Sequence, residues 1–353
     1  MKDYIEFMNI SEKTPNKDIF VSFWLFILTI MTFLIIIIGG LTRLTESGLS
    51  MVNWRPIMGF LPPLSYEDWL KVFNDYKNSP EFLIVNKTMN LQEFKYIFWW
   101  EWFHRFFARC IGIVFIIPLF IFFFQKKISK KLLSNLFILF LFGLFQGLVG
   151  WWMVKSGLSE NPYVSPYRLA FHLTNAIIIL SILFWLSLNS LSLRNINFIP
   201  SNKFQLFIII LVLLLFITII SGAFMAGADA GKSFNTYPLM NNELFPQDYL
   251  LEDLGIRNLF ENTVAINFNH RWLATLTFII IVFFTINIFI NRKYSKHLYK
   301  IALIFILTCI QFILGIITLL TNVEITFASM HQINSVLLLL SFLFFYNHIK
   351  KEI

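Results

Sequence analysis

Eight long apolar segments alternate with polar ones along the chain. Each approaches or exceeds the roughly 20 residues that a helix needs to cross the hydrocarbon core of a bilayer. The first follows a polar stretch without a small-residue cleavage site, which favours a retained helix over a signal peptide. The pattern predicts an all-α polytopic membrane protein with spans at Ile19–Leu41, Trp99–Phe124, Leu132–Val154, Leu169–Leu193, Phe204–Ala228, Asn267–Ile290, Ile301–Val323 and Ile325–Asn347.

Composition agrees with a membrane location. Of the 353 residues, 57% are hydrophobic and 14% are charged, whereas soluble domains have about 45–50% and about 25%. The net charge of +8 is typical of cytoplasmic loops rather than of nucleic-acid binding in such a chain. Cys110 and Cys309 both lie in apolar runs, so neither a disulfide framework nor a zinc ribbon is indicated.

The basic residues of the connections predict the orientation. Lysines and arginines lie between spans two and three, four and five, and six and seven, and at the C-terminus; they include Arg194, Arg292, Lys293 and Lys351. By the positive-inside rule these ends and the N-terminus face the cytoplasm. The long first loop, residues 42–98, then lies outside, and its segment LPPLSYEDWL predicts a small ordered cap with interfacial helices.

The second half of the sequence repeats motifs of the first in the same order. EWFHRFFA matches NFNHRWLA, QGLVG matches QFILG, AFHLTN matches SMHQIN, and Gly40 pairs with Gly222. Such self-similarity indicates duplication. The repeat predicts two four-helix bundles, residues 1–196 and 197–353, related by a pseudo-twofold axis along the membrane normal.

Four histidines lie in spans two, four, six and eight, near the same end of each: His104, His172, His270 and His331. Ionisable residues inside a membrane usually mark a function, and paired imidazoles in a helical bundle are typical axial ligands of haem. Zinc or copper is less favoured because the usual cysteine or carboxylate spacing is absent. The alternative is four hydrogen-bonded interfacial histidines. His297 and His348, among lysines, are interpreted as solvated surface groups.

Several polar residues accompany these histidines. Arg105 and Arg271 directly follow His104 and His270, and each could clamp a haem propionate or reach the interface as a snorkelling side chain. Glu101 precedes His104 by three residues and shares its helix face, whereas the second half has Asn267. This difference suggests different tasks for the two halves, unless Glu101 lies in interfacial water. Interhelical hydrogen bonds are expected from Gln146, Asn175, Gln311 and Asn334; Glu46 and Asp229 are weaker candidates.

Three segments, GGLTRLTESGLSMVNWRPIMGFLPPLS, WEWFHRFFAR and FNHRWLAT, resemble the haem A synthase family in its proteobacterial and mitochondrial branch. The resemblance covers nearly the whole chain. It implies an inner-membrane oxidoreductase that converts haem O to haem A by successive oxygenations of the C8 methyl group to a formyl group. O2 is the co-substrate, and electrons come from an external donor. The cysteine pair of some relatives is absent here, so a mechanism that needs it does not apply.

The resemblance also assigns roles. It implies a haem b cofactor between His270 and His331, with the substrate haem near His104 and His172 and Glu101 as the important carboxylate. Haem O synthase is the implied supplier and an aa3-type oxidase the acceptor. Other readings remain open at this stage: a di-haem b-type cytochrome that only transfers electrons, a haem transporter, or a structural subunit whose histidines bind nothing.

Overall fold

Eight long helices dominate the computed structural model, which describes residues 19–53, 58–159, 161–190, 198–291 and 296–351. Each is long and apolar enough to cross a membrane, so the predicted all-α polytopic class is confirmed. In chain order they are α1 (Ile19–Leu44), α2 (Leu91–Phe124), α3 (Lys130–Gly157), α4 (Pro166–Ser190), α5 (Lys203–Gly227), α6 (Thr263–Ile290), α7 (Leu298–Leu320) and α8 (Ile325–Lys351).

Most helix ends differ from the predicted spans by a few residues, and at two of them the local reason is visible. Helix α2 begins at Leu91, eight residues before the predicted Trp99, because Asn90 and Glu93 form a reciprocal capping box that starts the helix outside the apolar run. Helix α7 ends at Leu320 rather than Val323. Asn322 and Val323 have φ of 55° and 62°, and left-handed residues cannot continue a right-handed helix.

The helices of each half pack mainly on one another. Helix α1 contacts α2 and α4, and α3 contacts α4; in the second half α5 contacts α6 and α8, and α7 contacts α6 and α8. The halves meet through α4 with α5, α1 with α8, and α4 with α8. One pair differs: α6 and α7 pack closely, whereas α2 and α3 make almost no close backbone approach.

Two apolar cores fill the helical region. One, built around Leu25, Leu28 and Leu136, joins α1, α2, α3 and α4. The larger core, around Leu211 and Phe342, joins α5 to α8 and includes residues of α1 and α4. The predicted boundary at 196–197 lies outside the described residues.

The ends of the helices define two sides. The start of α1 lies beside the α2–α3 connection, where Lys127 Nζ is 5.3 Å from the ring centre of Phe20. The end of α8 lies beside the α4–α5 connection, where Lys350 donates a hydrogen bond to the carbonyl of Ile199. We call this the lysine side. Arg194, Arg292, Lys293 and the N-terminal residues 1–18, which also entered the orientation argument, lie outside the described residues, as does the side chain of Lys351.

The interpretation of His297 and His348 as solvated groups is wrong. His297 is only 3% exposed, and its Nδ1 lies 3.2 Å from Nζ of the equally buried Lys300. His348 is half-buried, its ring packs on Phe344, and its Nδ1 lies 2.9 Å from the Phe344 carbonyl. Neighbouring lysines in the sequence hid the fact that both rings pack against the aromatic residues of α8.

The first loop folds into a small cap on the opposite side, as predicted. Its helices Tyr66–Lys77 and Pro80–Ile84 pack against the first two turns of α2. The apolar core of this cap consists of Trp69, Phe73, Tyr76, Phe94, Ile97 and Phe98. We call this the cap side. The first turns of α2, which start before the predicted span at Trp99, form the surface on which the cap packs.

A buried carboxyl group lies inside the cap. Glu81 is 7% exposed and accepts a 2.9 Å hydrogen bond from the Tyr76 hydroxyl. Burial is the main cause that raises the pKa of Glu81 to about 7; the Tyr76 hydrogen bond opposes the shift, and the charges of Glu101 and Glu46 add to it. The same burial raises the pKa of Tyr76.

This carboxyl group should make the stability of the cap depend on pH. Because its pKa is higher in the folded than in the unfolded chain, stability is full below about pH 4.5 and falls as pH rises to about 7, by on the order of 3 kcal/mol. Glu81→Gln should abolish that fall. The thermal midpoint of the full-length protein at pH 5 and pH 8 measures it, with the exposed Glu67→Gln as control; an unchanged pH slope in Glu81→Gln would contradict the assignment.

Candidate functional site

One cavity of about 1630 Å³ lies between the helices and reaches into both halves. This exceeds the roughly 300–1,000 Å³ of ordinary small-molecule sites, so there is room for more than one large ligand. Every site residue that the sequence predicted lines it: Glu101, His104, Arg105, His172, His270, Arg271 and His331.

The four histidines enter this cavity from equivalent places. His172, His270 and His331 lie about two turns from the starts of α4, α6 and α8. His104 lies about two turns further along its helix, because α2 begins early under the cap. The imidazoles of His172, His270 and His331 therefore lie about 10 Å along the axis from the start of their helices, and that of His104 about 20 Å.

A glycine on the preceding helix faces each histidine ring. A Cβ atom added to Gly39 would lie 3.2 Å from His104 Nε2, and one added to Gly222 would lie 3.2 Å from His270 Cε1. The corresponding contacts in the other two pairs, Gly150 with His172 and Gly315 with His331, would be 3.0 and 2.9 Å. A side chain at any of these positions would push the ring into the cavity.

This contact corrects one sequence match. The glycine that faces His104 is Gly39, so Gly39 and not Gly40 is the counterpart of Gly222. Gly40 instead lies against α8, where an added Cβ would overlap the Gln332 amide at 2.0 Å. That amide donates a 3.0 Å hydrogen bond to the Ile36 carbonyl and joins the two halves.

The predicted interhelical hydrogen bonds are confirmed. Asn175 donates to Gln146 Oε1 at 2.6 Å, and Asn334 donates to Gln311 Oε1 at 2.8 Å. Each glutamine then turns its amide nitrogen toward a histidine: Gln146 Nε2 is 3.3 Å from His172 Nε2, and Gln311 Nε2 is 3.2 Å from His331 Nδ1. The Nδ1 atom of His172 is buried, and none of the described residues hydrogen-bonds to it.

The second half orients one imidazole that the first half leaves free. Ser221 Oγ lies 2.7 Å from His270 Nδ1 and 2.8 Å from the Thr218 carbonyl. This contact holds the His270 ring, and with the serine hydrogen on the carbonyl it places the imidazole proton on Nδ1 and leaves the Nε2 lone pair for a metal. In the first half Ile38 replaces Ser221, and none of the described residues hydrogen-bonds to His104.

Glu101 is a buried group and not an interfacial one, since it is only 2% exposed. Its Oε2 accepts hydrogen bonds from Ser50 Oγ at 2.6 Å and from the Met51 amide at 2.7 Å. Its Oε1 pairs with Arg105, which also donates to the Met51 carbonyl. Three donors around one carboxyl group fit the ionised form, which only accepts.

The second half keeps this arrangement without the negative charge. Asn267, fully buried, accepts from Arg271 Nε at 2.6 Å and donates to the Ala230 carbonyl at 2.7 Å. Arg271 also donates to the carbonyls of Phe234 and Thr236. Three of its five N–H groups are thus bound within the protein, and the remaining donors are available at the cavity wall.

Ion pairs join the two halves at the cap side of the cavity. Arg43 lies 2.9 Å from Asp229, and Lys232 lies 3.3 Å from Asp229 and 3.6 Å from Glu46. Glu46 and Asp229 both end their helices in the left-handed conformation, with φ of 53° and 51°. At 60% and 41% exposure, the two carboxylates are structural links at the rim rather than part of the interior.

The residues that sequence reasoning missed are small ones. Ser50, Ser221 and the glycines facing the histidines act through contacts between helices far apart in the chain. Gly150 and Gly315 had a visible signal as the ends of the repeated motifs QGLVG and QFILG, and Gly222 had one as a repeated glycine, although the sequence pattern pairs it with Gly40 instead of Gly39.

The donor set fits haem. Four imidazoles line one large, mostly apolar cavity together with Arg105 and Arg271, and among the described residues no three His, Cys, Asp or Glu side chains gather as a metal cage. Histidine pairs of this kind hold haem axially in helical bundles. The fold and the site define the chain as a polytopic membrane protein built to bind haem.

Comparison with known proteins identifies its family. Residues 22–343 match the family described as Cytochrome oxidase assembly protein, and the chain belongs to it. Proteins named "Heme A synthase" are similar throughout: that of Nitrosomonas eutropha is 40% identical, with 93% of each chain covered, and that of Nitrosospira multiformis is 38% identical, with 99% of each covered. That of Azorhizobium caulinodans is 42% identical over 94% of each chain. The resemblance stated from the motifs is confirmed.

Proposed function

We propose that this chain is a haem A synthase, an oxidoreductase that converts the C8 methyl group of haem O to the formyl group of haem A. The near full-length likeness to proteins of that name supports the proposal. The observation that carries it is the carboxylate Glu101 beside one histidine pair, with the amide Asn267 at the matching position beside the other. A protein that only transfers electrons gives no reason for this difference.

Each half of the chain, residues 1–196 and residues 197–353, forms one of the two haem sites. His270 and His331 would hold haem b in the second half, and Arg271 would offer charge to its propionates. His104 and His172 would bind the substrate haem O in the first half, with Arg105 in the corresponding role. Pairing within each half is supported by the repeat, which gives each half two histidines that face glycines in equivalent places and line the same cavity.

The packing supports a duplicated architecture. The contacts of α1 with α8 and of α5 with α4 are equivalent under a twofold axis that passes between α4 and α8. The four equivalent histidine–glycine contacts support the same axis, directed along the membrane normal.

The imidazoles, Glu101 and the apolar wall of the cavity have different roles in the proposed reaction. A bound haem, with O2 and electrons from an external donor, supplies the oxidation that side chains cannot perform. The imidazoles bind and orient the two haems. Glu101 receives or holds a proton at its carboxylate oxygens, while Ser50, the Met51 amide and Arg105 fix where that carboxylate points. The apolar wall excludes water.

The location follows from the charges. The lysine side faces the cytoplasm by the positive-inside rule, which puts the N-terminus there and the cap and haem sites on the periplasmic side of a bacterial inner membrane. Haem O synthase is the expected supplier of substrate, and an aa3-type oxidase is the expected acceptor of the product.

The test is expression of the chain in a host that makes haem O but has no haem A synthase of its own. Haem A, or its hydroxylated precursor, should appear in extracted haems by mass analysis only when the chain is present. Haem O that stays unchanged, both there and after mixing with membranes of the native organism to supply the electron donor, would overturn the proposal in favour of a di-haem cytochrome.

A further inference from the structure

The two halves differ in the wall that faces the lipid. Helices α6 and α7 pack side by side, whereas α2 and α3, their counterparts, stay apart. Five residues on these two helices line the cavity and keep a large accessible area; they are Ala108, Ile116, Gly143, Leu144 and Gly147. Since α2 and α3 do not pack on each other there, the cavity lies open between them, within the part of both helices that is apolar enough to cross a membrane. We call this gap the α2–α3 opening.

Glycines without neighbours border the α2–α3 opening. A Cβ atom added to Gly112, Gly143 or Gly147 would meet nothing within 4 Å, unlike those added to the glycines that face histidines. A glycine inside a helix costs roughly 0.5–1 kcal/mol relative to alanine. Close packing does not explain these three glycines; the open space beside them belongs to the cavity and to the gap between α2 and α3.

The second half closes the same place with aromatic rings. The repeated motifs put Phe278 at the position of Gly112 and Phe312 at that of Gly147. Their rings stack with centres 4.2 Å apart and planes 15° from parallel, and Tyr237 packs on Phe312. The matching wall is therefore sealed from the lipid.

The α2–α3 opening is closed at its end toward the lysine side. Phe115 and Phe140 stack across the two helices at 6.3 Å, in the core on the lysine side. The opening thus spans the depth between this aromatic pair and the cap side, where the histidines lie. The buried Nδ1 of His172, to which none of the described residues hydrogen-bonds, marks a ligand site behind it.

We propose that the α2–α3 opening is a lateral portal through which a haem with an apolar tail passes between the bilayer and the first-half site, and that the Phe278–Phe312 stack is the seal that retains haem in the second half. The inference rests on the proposed function for the identity of the occupant. A flat porphyrin can pass edge-on between helices that lack side chains. Free His104 and anchored His270 agree with one exchanging and one resident haem.

The test introduces a pair of aromatic rings, equivalent to Phe278 and Phe312, at the α2–α3 opening. Full-length protein with haem b bound is reconstituted in phospholipid vesicles and mixed with vesicles that carry haemin; uptake is followed by Soret absorbance, and release by transfer to apomyoglobin. Gly112→Phe with Gly147→Phe should slow uptake and release by the same factor, at least about tenfold, with the final occupancy unchanged. A barrier on the path changes both rates and leaves the equilibrium alone.

Controls separate the passage from other effects. Gly112→Ala with Gly147→Ala keeps the opening and should behave as wild type. Leu141→Phe with Leu148→Phe adds two rings to exposed positions of α3 outside the cavity wall and should also leave the rates unchanged. Conversely, Phe278→Gly with Phe312→Gly should let zinc protoporphyrin exchange with the second-half haem.

The outcomes distinguish the portal from the function. Wild-type rates in Gly112→Phe with Gly147→Phe would overturn the portal while leaving haem A synthesis intact. Lower final occupancy at an unchanged uptake rate would mean that the rings fill the site, and would also overturn it. A wild-type protein that takes up no second haem and makes no haem A would overturn both proposals.

Discussion

Alanine at His270 and alanine at His331 should each remove the same haem, the one that copurifies with the protein. In the proposed site each histidine would supply one of two ligands to the iron, and a lone imidazole would hold the haem much more weakly. Pyridine haemochrome analysis of each purified variant should show loss of one full equivalent of haem b per chain.

A matched control is available on α8. His348→Ala changes the same residue type on the same helix as His331, at its other end, and should retain the haem. If His270→Ala and His331→Ala lost different haems, the pairing within one half would be wrong, and a pair formed across the halves would replace it. A chain that fails to assemble is recognised by its loss from the membrane fraction.

The four cavity histidines could be predicted from the sequence because each lies in a motif that occurs twice. Four imidazoles in apolar helices, each within a duplicated motif, are visible without any knowledge of packing, and so is the replacement of Glu101 by Asn267. The capping residues Asn90 and Glu93 were readable too, and they would have placed the start of α2 correctly. Apolarity alone misses the part of a helix that leaves the membrane.

What the sequence left out depends on neighbours in space. Ser221 is one serine in a long apolar helix, and its role appears only when α6 brings His270 to 2.7 Å. Likewise Phe278 and Phe312 are two of 43 phenylalanines, and only their stacking distinguishes them. The burial of His297 depends on contacts with α8 that no local pattern encodes.

The two halves differ consistently in charge, in how the imidazole is held and in how the cavity wall is closed. In the second half, the polar groups beside the histidine are neutral or bound within the protein, the imidazole is anchored, and the wall is closed by rings. In the first half a carboxylate lies beside a free imidazole, and the wall is open. A resident cofactor needs the former environment, and a substrate that must arrive, react and leave needs the latter.

Glu101→Gln should preserve both haem sites and yet reduce haem A formation by about 100-fold or more, the range for loss of a general acid or base. Glutamine keeps the shape of the side chain and its acceptor oxygen toward Ser50 or Met51, but it cannot take up a proton. Total haem per chain, and haem A and its hydroxylated precursor by mass analysis, should be measured on the same membranes.

Glu46→Gln is the matched control, because it removes the charge of an exposed carboxylate at the rim of the same cavity; it should turn over as wild type. Glu101 also holds Arg105, so a purely structural role predicts that Glu101→Gln loses haem and product together. A role in proton transfer predicts normal haem content with lost product, and a turnover that no longer follows the wild-type pH profile. Normal turnover in Glu101→Gln would exclude the carboxylate from the chemistry, and the asymmetry of the two halves would then concern substrate exchange alone.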